Sequence, residues 1–170
     1  MESERVEKMS QQDLCEQLYG AFKHRAQLYY LIFDEMRQEF GADKAEEILK
    51  RAIYKRGLAV GQKYSQYGPN DLEGLKDAFT AGIPDGGKMF APQVKSCDAE
   101  GLDIHLMNCP LKDAWQEAGL GEDDVATMCR IAAAIDGGTF EAAGFEFSAE
   151  TWQPGCDGCC QLHIRPGTTD

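Results

Sequence analysis

The chain has 170 residues, 43% of them hydrophobic and 27% charged, so it can build a core and is not a disordered polymer. Its 17 Lys and Arg residues against 29 Asp and Glu residues give a formal net charge of −12. So acidic a chain, with no long Lys/Arg cluster, is not expected to bind nucleic acid or an anionic membrane as its main role. A small molecule or another protein is the expected partner, and a homodimer stays open.

The first half of the chain predicts a layer of helices. Apolar residues recur at helical spacing from Gln11 to Phe40, and Gly41 is placed to end that helix. A second helix is expected to open at Asp43, with Glu46 three residues later as a capping-box partner. A third, shorter helix is expected over residues 70–81.

The apolar period changes after the turn-rich segment 83–87. Residues 94–97 and 102–107 predict a hairpin, because apolar and polar residues alternate in the second of them. Cys109-Pro110 is expected to open a helix that runs to Gly119, since proline suits a first helical position. A further helix is predicted over residues 122–136, with acidic residues in its first turn.

The last strands are predicted as a hairpin around a two-residue turn at Asp157-Gly158. That turn would place Cys156 opposite Cys159, Thr151 opposite Ile164 and Gln153 opposite Leu162. One face would be apolar, with Phe145, Phe147, Cys160, Leu162 and Ile164. The other face would carry Glu146, Trp152, Gln161, His163 and Arg165.

We therefore predict one α+β domain over residues 1–170. An N-terminal helical layer (1–82) packs on a roughly four-stranded antiparallel sheet, and two helices are inserted between the hairpins (88–165). The tail 166–170 is expected to be frayed. No apolar run approaches the ~18 residues that span a bilayer, and the N-terminus lacks the apolar core of a secretory signal, so a cytoplasmic protein is expected.

The seven cysteines are the most informative residues, because thiols of a cytoplasmic chain are more often reduced, metal-bound or catalytic than paired in disulfides. Cys109 is the first candidate for chemistry. It precedes Pro110 at a helix start, where backbone amides and the helix dipole stabilise a thiolate. A small buried residue at a strand-to-helix junction is the alternative.

Cys129 and Asp136 are seven residues apart on one predicted helix and would project from nearly the same face. Small alanines between them would leave room for a ligand. Burying the Asp136 carboxylate would cost several kcal/mol without a partner, which indicates a functional role. The alternatives are an Asp136 that ends the helix in water and a Cys129 that packs in the core.

Cys156, Cys159 and Cys160 form a C-x-x-C-C group across the predicted tight turn, near enough to share a metal ion. A structural zinc needs four ligands, so Cys97, Cys109 or His163 would have to complete the shell. Redox-active thiols and inert packing are the alternatives. The sequence contains no motif that requires a cofactor, and the cofactor that these three cysteines could bind is zinc.

The segment from Cys109, CPLKDAWQEAGLGEDDVATMCRIAAAIDGGTFEAAGFEF and then CDGCCQLHI, resembles the L-2-amino-thiazoline-4-carboxylic acid hydrolase family. The resemblance is carried by Cys109-Pro110 with Trp115 and Gly119, by Cys129 with Asp136, by Phe145 to Phe147, and by Cys160. It implies a hydrolase that opens a cyclic carbon flanked by nitrogen and sulfur and yields a carbamoyl-cysteine. Cys109 or Cys129 would be the nucleophile, Asp136 would bind the amidinium or act as general base, and Trp115 would contact substrate.

The same C-terminal plan is similar to four-vinyl-reductase-type ligand-sensor domains. That resemblance implies a zinc held by cysteines and a carboxylate near the last hairpin, with Glu150 and Cys160 at two ligand positions. Trp152 stands where such a sensor would want another thiol, and Cys156 or Cys159 would have to compensate. The sequence thus leaves two functions open: a cysteine-dependent hydrolase, and a non-catalytic ligand-binding or sensor module.

Overall fold

A computed structural model describes residues 10–168. Its α-helices are α1 (Gln11–Phe40), α2 (Ala42–Gly61), α3 (Leu72–Ala81), α4 (Pro110–Glu117), α5 (Glu122–Ala132) and α6 (Ala134–Ala142). Its strands are β1 (Pro92–Cys97), β2 (Leu102–Leu106), β3 (Glu146–Glu150) and β4 (Gln161–Arg165). Short 3-10 helices cover Gln62–Tyr67 and Asp85–Gly87. Within residues 10–168, no helix is long and apolar enough to cross a membrane.

The helical layer begins and ends at capping residues. The Ser10 side chain accepts from the Asp13 amide, and Asp13 accepts from Ser10 in return, which satisfies two free N–H groups at the start of α1. Gly41 ends α1 with a φ of 82°, a conformation that glycine adopts at little cost. The capping box predicted at Asp43 is wrong, because the N-cap of α2 is Gly41.

The strands form one antiparallel sheet in the order β1-β2-β4-β3. Leu102 and Ile104 of β2 and Leu162 and Ile164 of β4 are at most 1% exposed, so they form the face against which the helices pack. This architecture confirms the predicted α+β fold with its N-terminal helical layer. The insertion between the hairpins differs in one respect: it holds three helices rather than two.

The predicted register of the last hairpin is wrong. Ile164 faces Phe147 and Leu162 faces Ala149, so the pairing is displaced by four residues from the predicted one. Residues 151–160 are a long connection, in which Cys159 N–H donates to the Leu106 carbonyl instead of pairing with Cys156. Since the displacement is even, Phe147 keeps its predicted face. Trp152 does not, because it is 6% exposed and belongs to the core.

The predicted helix 122–136 is broken at Ala133, and α6 continues through Gly137-Gly138 where a stop was expected. The reason is the packing of α6 on α2. A Cβ on Gly57 would collide with the Ile135 carbonyl oxygen, and one on Gly138 would collide with the Tyr54 carbonyl oxygen. Glycines therefore let these two helix backbones touch, and the contact outweighs the low helix propensity of glycine.

The C-terminal tail is held in part. The Gly167 N–H donates to the Pro69 carbonyl at 2.8 Å, within the segment 166–170 that was predicted to be frayed. Residues 1–9 and 169–170 of the predicted domain lie outside the described residues.

Candidate functional site

A cavity of about 330 Å³ lies between the helical layer and the end of the sheet. Its wall is mainly apolar and includes Phe22, Tyr64, Phe79, Phe90, Leu111 and Trp115. An apolar cavity of this size with a few polar groups is the usual form of a small-molecule site. The predicted residues Cys109, Cys129, Asp136, Trp115, Cys159 and Cys160 all border it, so the fold brings six of the seven predicted site residues together.

Four of these residues form a thiol cluster: Cys109, Cys129, Cys159 and Cys160. Cys159 is its centre, because its thiol has Cys109, Cys129 and Cys160 as hydrogen-bonding neighbours. The Sγ atoms of Cys159 and Cys160 are 3.7 Å apart. All seven cysteines of the chain are free thiols in the structure.

The thiol cluster is electrostatically asymmetric. Hydrogen bonding from the Cys159 thiol lowers the pKa of Cys109, and the backbone amides of Lys112 and Leu111 lower it further, against the opposing effect of burial. These amides are the free N–H groups of the α4 N-terminus, for which Cys109 is the N-cap residue. The pKa of Cys159 is raised, because its neighbours hydrogen-bond to the protonated thiol and because it is buried. Cys109 is therefore the more acidic thiol of the cluster and Cys159 the less acidic one.

Asp136 lies in the first turn of α6 and faces the same cavity. Burial raises the pKa of its carboxyl from 3.8 to about 7. Its side chain forms no hydrogen bond or ion pair with any other residue of the described range; it is half-buried and borders the cavity. Cys129 and Asp136 are on two helices rather than one, but the break at Ala133 leaves both beside the cavity.

Two cations that the sequence did not single out stand where the cavity meets the surface. The Arg25 guanidinium carbon is 4.5 Å from the ring centroid of Phe22, and the Lys63 ammonium is 4.7 Å from that of Tyr64. Both side chains are exposed, border the cavity and, among residues 10–168, have no carboxylate partner. No sequence motif marks them, because they resemble any other charged residue on a helix surface.

Trp115, the predicted substrate contact, is 1% exposed and forms part of the cavity wall. Its Nε1–H donates to the Ala26 carbonyl oxygen of α1 at 2.7 Å. The indole thus fixes α4 against α1 and offers only ring atoms to a ligand.

The comparison with known protein families covers every residue named in this site. The sequence profile of the L-2-amino-thiazoline-4-carboxylic acid hydrolases matches residues 21–164. The chain belongs to this family. The match extends the resemblance, which rested on the last third of the chain, to the helices that carry Arg25 and Lys63. No curated protein matches the chain.

In this member of the L-2-amino-thiazoline-4-carboxylic acid hydrolase family, the arrangement that motivated a zinc site is absent. The two-residue turn does not form; Cys156 is exposed, whereas Cys159 and Cys160 are buried at the cavity. Among residues 10–168, no three His, Cys, Asp or Glu side chains converge as metal ligands. Glu150 instead lies 3.5 Å from His163, whose other ring nitrogen contacts Asp103 at 2.7 Å on the outer face of the sheet. Zinc at Cys156, Cys159 and Cys160 stays a prediction that these positions do not favour.

Proposed function

We propose that the protein hydrolyses a small cyclic amidine that carries a carboxylate, such as a 2-amino-thiazoline-4-carboxylate, with Cys109 as the nucleophile. The observation that carries the proposal is that one cavity combines the thiol of lowered pKa with the unpartnered carboxyl of Asp136. The membership in a hydrolase family supports the reaction class.

The charges of the cavity match those of such a substrate. An amidinium is a planar cation with N–H donors, which a carboxylate binds through charge-assisted hydrogen bonds. Asp136 is available for that role because no cation among residues 10–168 neutralises it, and a bound cation would lower its pKa from about 7. Arg25 and Lys63 at the cavity entrance are available for the substrate carboxylate.

The chemistry follows from this orientation. The Cys109 thiolate attacks the ring carbon between nitrogen and sulfur, and the ring C–S bond breaks. The substrate sulfur leaves as a thiolate and takes a proton, which leaves an isothiouronium bound to Cys109. Water then attacks the same carbon, Cys109 departs as the thiolate, and a carbamoyl-cysteine with a free thiol is released. Ionised Asp136 stabilises the positive charge on the amidine nitrogens until water attacks.

The sequence left open which cysteine attacks and whether Asp136 acts as a base. The site favours Cys109 over Cys129, because backbone amides of the α4 N-terminus lie near the Cys109 sulfur, whereas Cys129 is 3% exposed within the body of α5. A carboxyl with a pKa near 7 is also suited to accept a proton from the attacking water, so Asp136 serves the second step as well.

The test is turnover of 2-amino-thiazoline-4-carboxylate, measured as the appearance of a new free thiol in the product. Cys109→Ala is expected to abolish turnover while the far-UV circular dichroism stays unchanged. The matched control is Cys156→Ala, which removes an exposed thiol outside the cavity and should leave turnover intact. Rapid acid quenching of the wild type should show the isothiouronium adduct on the tryptic peptide 96–112 by mass spectrometry.

Unchanged turnover in Cys109→Ala would refute the nucleophile. Saturable binding of the thiazoline without any product, in wild-type protein, would refute the hydrolase proposal and favour the second function that the sequence left open, a ligand-binding module that uses the same cavity.

A further inference from the structure

The proposed hydrolysis uses one thiol of the cluster and leaves three buried thiols without a role. Cys129, Cys159 and Cys160 are each at most 8% exposed, yet all of them border a cavity that opens to the surface. A reagent small enough to enter the cavity would therefore meet several sulfurs at once.

The backbone holds Cys109 and Cys159 together. The Cys159 N–H donates to the Leu106 carbonyl at 2.8 Å, three residues before Cys109. Lys112, which follows Cys109 in the first turn of α4, donates from Nζ to the Gly158 carbonyl at 3.0 Å, one residue before Cys159. The segments on both sides of the two sulfurs are thus tied to each other. Within the described residues, no such pair of hydrogen bonds joins the segment around Cys109 to the segment around Cys129.

The two sulfurs also differ in protonation. The pKa of Cys109 is lowered and that of Cys159 is raised, so the pair combines a more acidic thiol with a less acidic one. This combination characterises cysteines that a peroxide oxidises and a neighbouring thiol then resolves.

We propose that Cys109 and Cys159 are a modification site for hydrogen peroxide, which converts them into a reversible intramolecular disulfide. The Cys109 thiolate attacks one peroxide oxygen, the O–O bond breaks, and the other oxygen takes a proton and leaves as water. The Cys159 sulfur then attacks the Cys109 sulfenic acid, whose hydroxyl group leaves as water with the Cys159 proton. Two sulfurs lose two electrons in total, and one peroxide is reduced to two waters.

The disulfide protects Cys109 from further oxidation to sulfinic acid, which thiols do not reverse. It also removes the nucleophile of the proposed hydrolysis, although the site itself does not depend on that function. The experiment therefore reads sulfur chemistry in the absence of substrate, and its result stands whether or not the thiazoline is turned over.

The experiment uses the full chain with Cys97→Ser and Cys156→Ser, which removes the two thiols that share tryptic peptides with the proposed pair but do not border the cavity. The reduced protein is treated with hydrogen peroxide, alkylated and digested. Free thiols should fall by about two per chain, because one disulfide consumes two thiols. Peptide 96–112 should be joined to peptide 131–170, because trypsin does not cleave the Arg165–Pro166 bond, and dithiothreitol should separate the two peptides.

Single substitutions in the same background identify the resolving thiol. Cys159→Ala should stop the cross-link and leave a sulfenic acid on Cys109 that dimedone traps. Cys160→Ala and Cys129→Ala are the matched controls, since each removes one buried thiol of the same cluster and should leave the cross-link in place. Circular dichroism establishes that each variant is folded.

Three results would overturn the proposal. One is a cross-link of peptide 113–130, which contains Cys129, to peptide 131–170 with Cys109 still reduced. Another is a disulfide confined to Cys159 and Cys160. The third is a Cys109 that resists peroxide or passes directly to sulfinic acid in the presence of Cys159.

Discussion

Replacing Asp136 by Asn should stabilise the empty protein at alkaline pH and leave its stability unchanged at pH 4. The unfolded chain releases the Asp136 proton near pH 3.8, whereas the folded protein keeps it up to about pH 7. The unfolded state thus binds fewer protons between these values, so the free energy of unfolding falls as pH rises through this window. At about 1.4 kcal/mol per pH unit, a difference of about three units corresponds to a total loss of about 4 kcal/mol, which water that enters the cavity reduces. An Asn side chain does not titrate, so the variant does not lose this stability as pH rises.

The assay is urea denaturation from pH 4 to pH 8, followed by the fluorescence of the two buried tryptophans, Trp115 and Trp152. The quantity to plot is the difference in unfolding free energy between Asp136→Asn and wild type, because the titrations of other groups cancel in it. The difference should be near zero at pH 4 and should grow in favour of the variant to several kcal/mol at pH 8. Asp123→Asn, at an exposed position in α5, controls for the loss of one charge from an acidic chain. A flat difference for Asp136→Asn, or a less stable variant at pH 8, would refute the reasoning.

Three other perturbations test the packing and the entrance of the cavity. Gly138→Ala should lower the unfolding free energy by about 1–3 kcal/mol, because its Cβ would collide with the backbone of α2. Gly137→Ala is its control: there the nearest ring atom would lie at an ordinary 3.6 Å, and equal losses in both variants would contradict the account. Arg25→Gln and Lys63→Gln should each raise KM by about tenfold with kcat little changed, because a charge-assisted hydrogen bond contributes about 1.5–3 kcal/mol to binding. An unchanged KM would exclude these residues from binding the substrate carboxylate. Trp115→Phe should cost about 1–3 kcal/mol in urea denaturation, because it removes the buried hydrogen bond that joins α4 to the Ala26 carbonyl of α1. A loss within experimental error would contradict that role.

The sequence predicted the parts of the fold that depend on local signals. The long periodic pattern of α1 and its end at Gly41 were confirmed, as were the alternation of β2 and the start of α4 at Cys109-Pro110. The errors arose where a tertiary contact overrides a local signal. Asp157-Gly158 is typical of a two-residue turn, but the neighbouring segment is bound to the end of β2 instead.

In the candidate site, too, local signals predicted some residues and tertiary packing alone determined the others. Cys109, Cys129 and Asp136 were indicated by helix starts, helical spacing and the family resemblance, and all three border the cavity. Arg25 and Lys63 were missed, because only the packing of distant helices shows that two ordinary surface cations share one entrance. Whether these residues bind and convert a substrate stays a prediction.

The glycine contact between α2 and α6 closes one approach to Asp136. Gly57 faces the stretch of α6 that begins at Ile135, and any side chain there would collide with the Ile135 carbonyl oxygen. A lysine or arginine on this part of α2 therefore has no path to the neighbouring carboxyl. The spacing of the two backbones thus prevents α2 from supplying a counter-ion at Gly57, and a mutation that placed one there would first have to separate the helices.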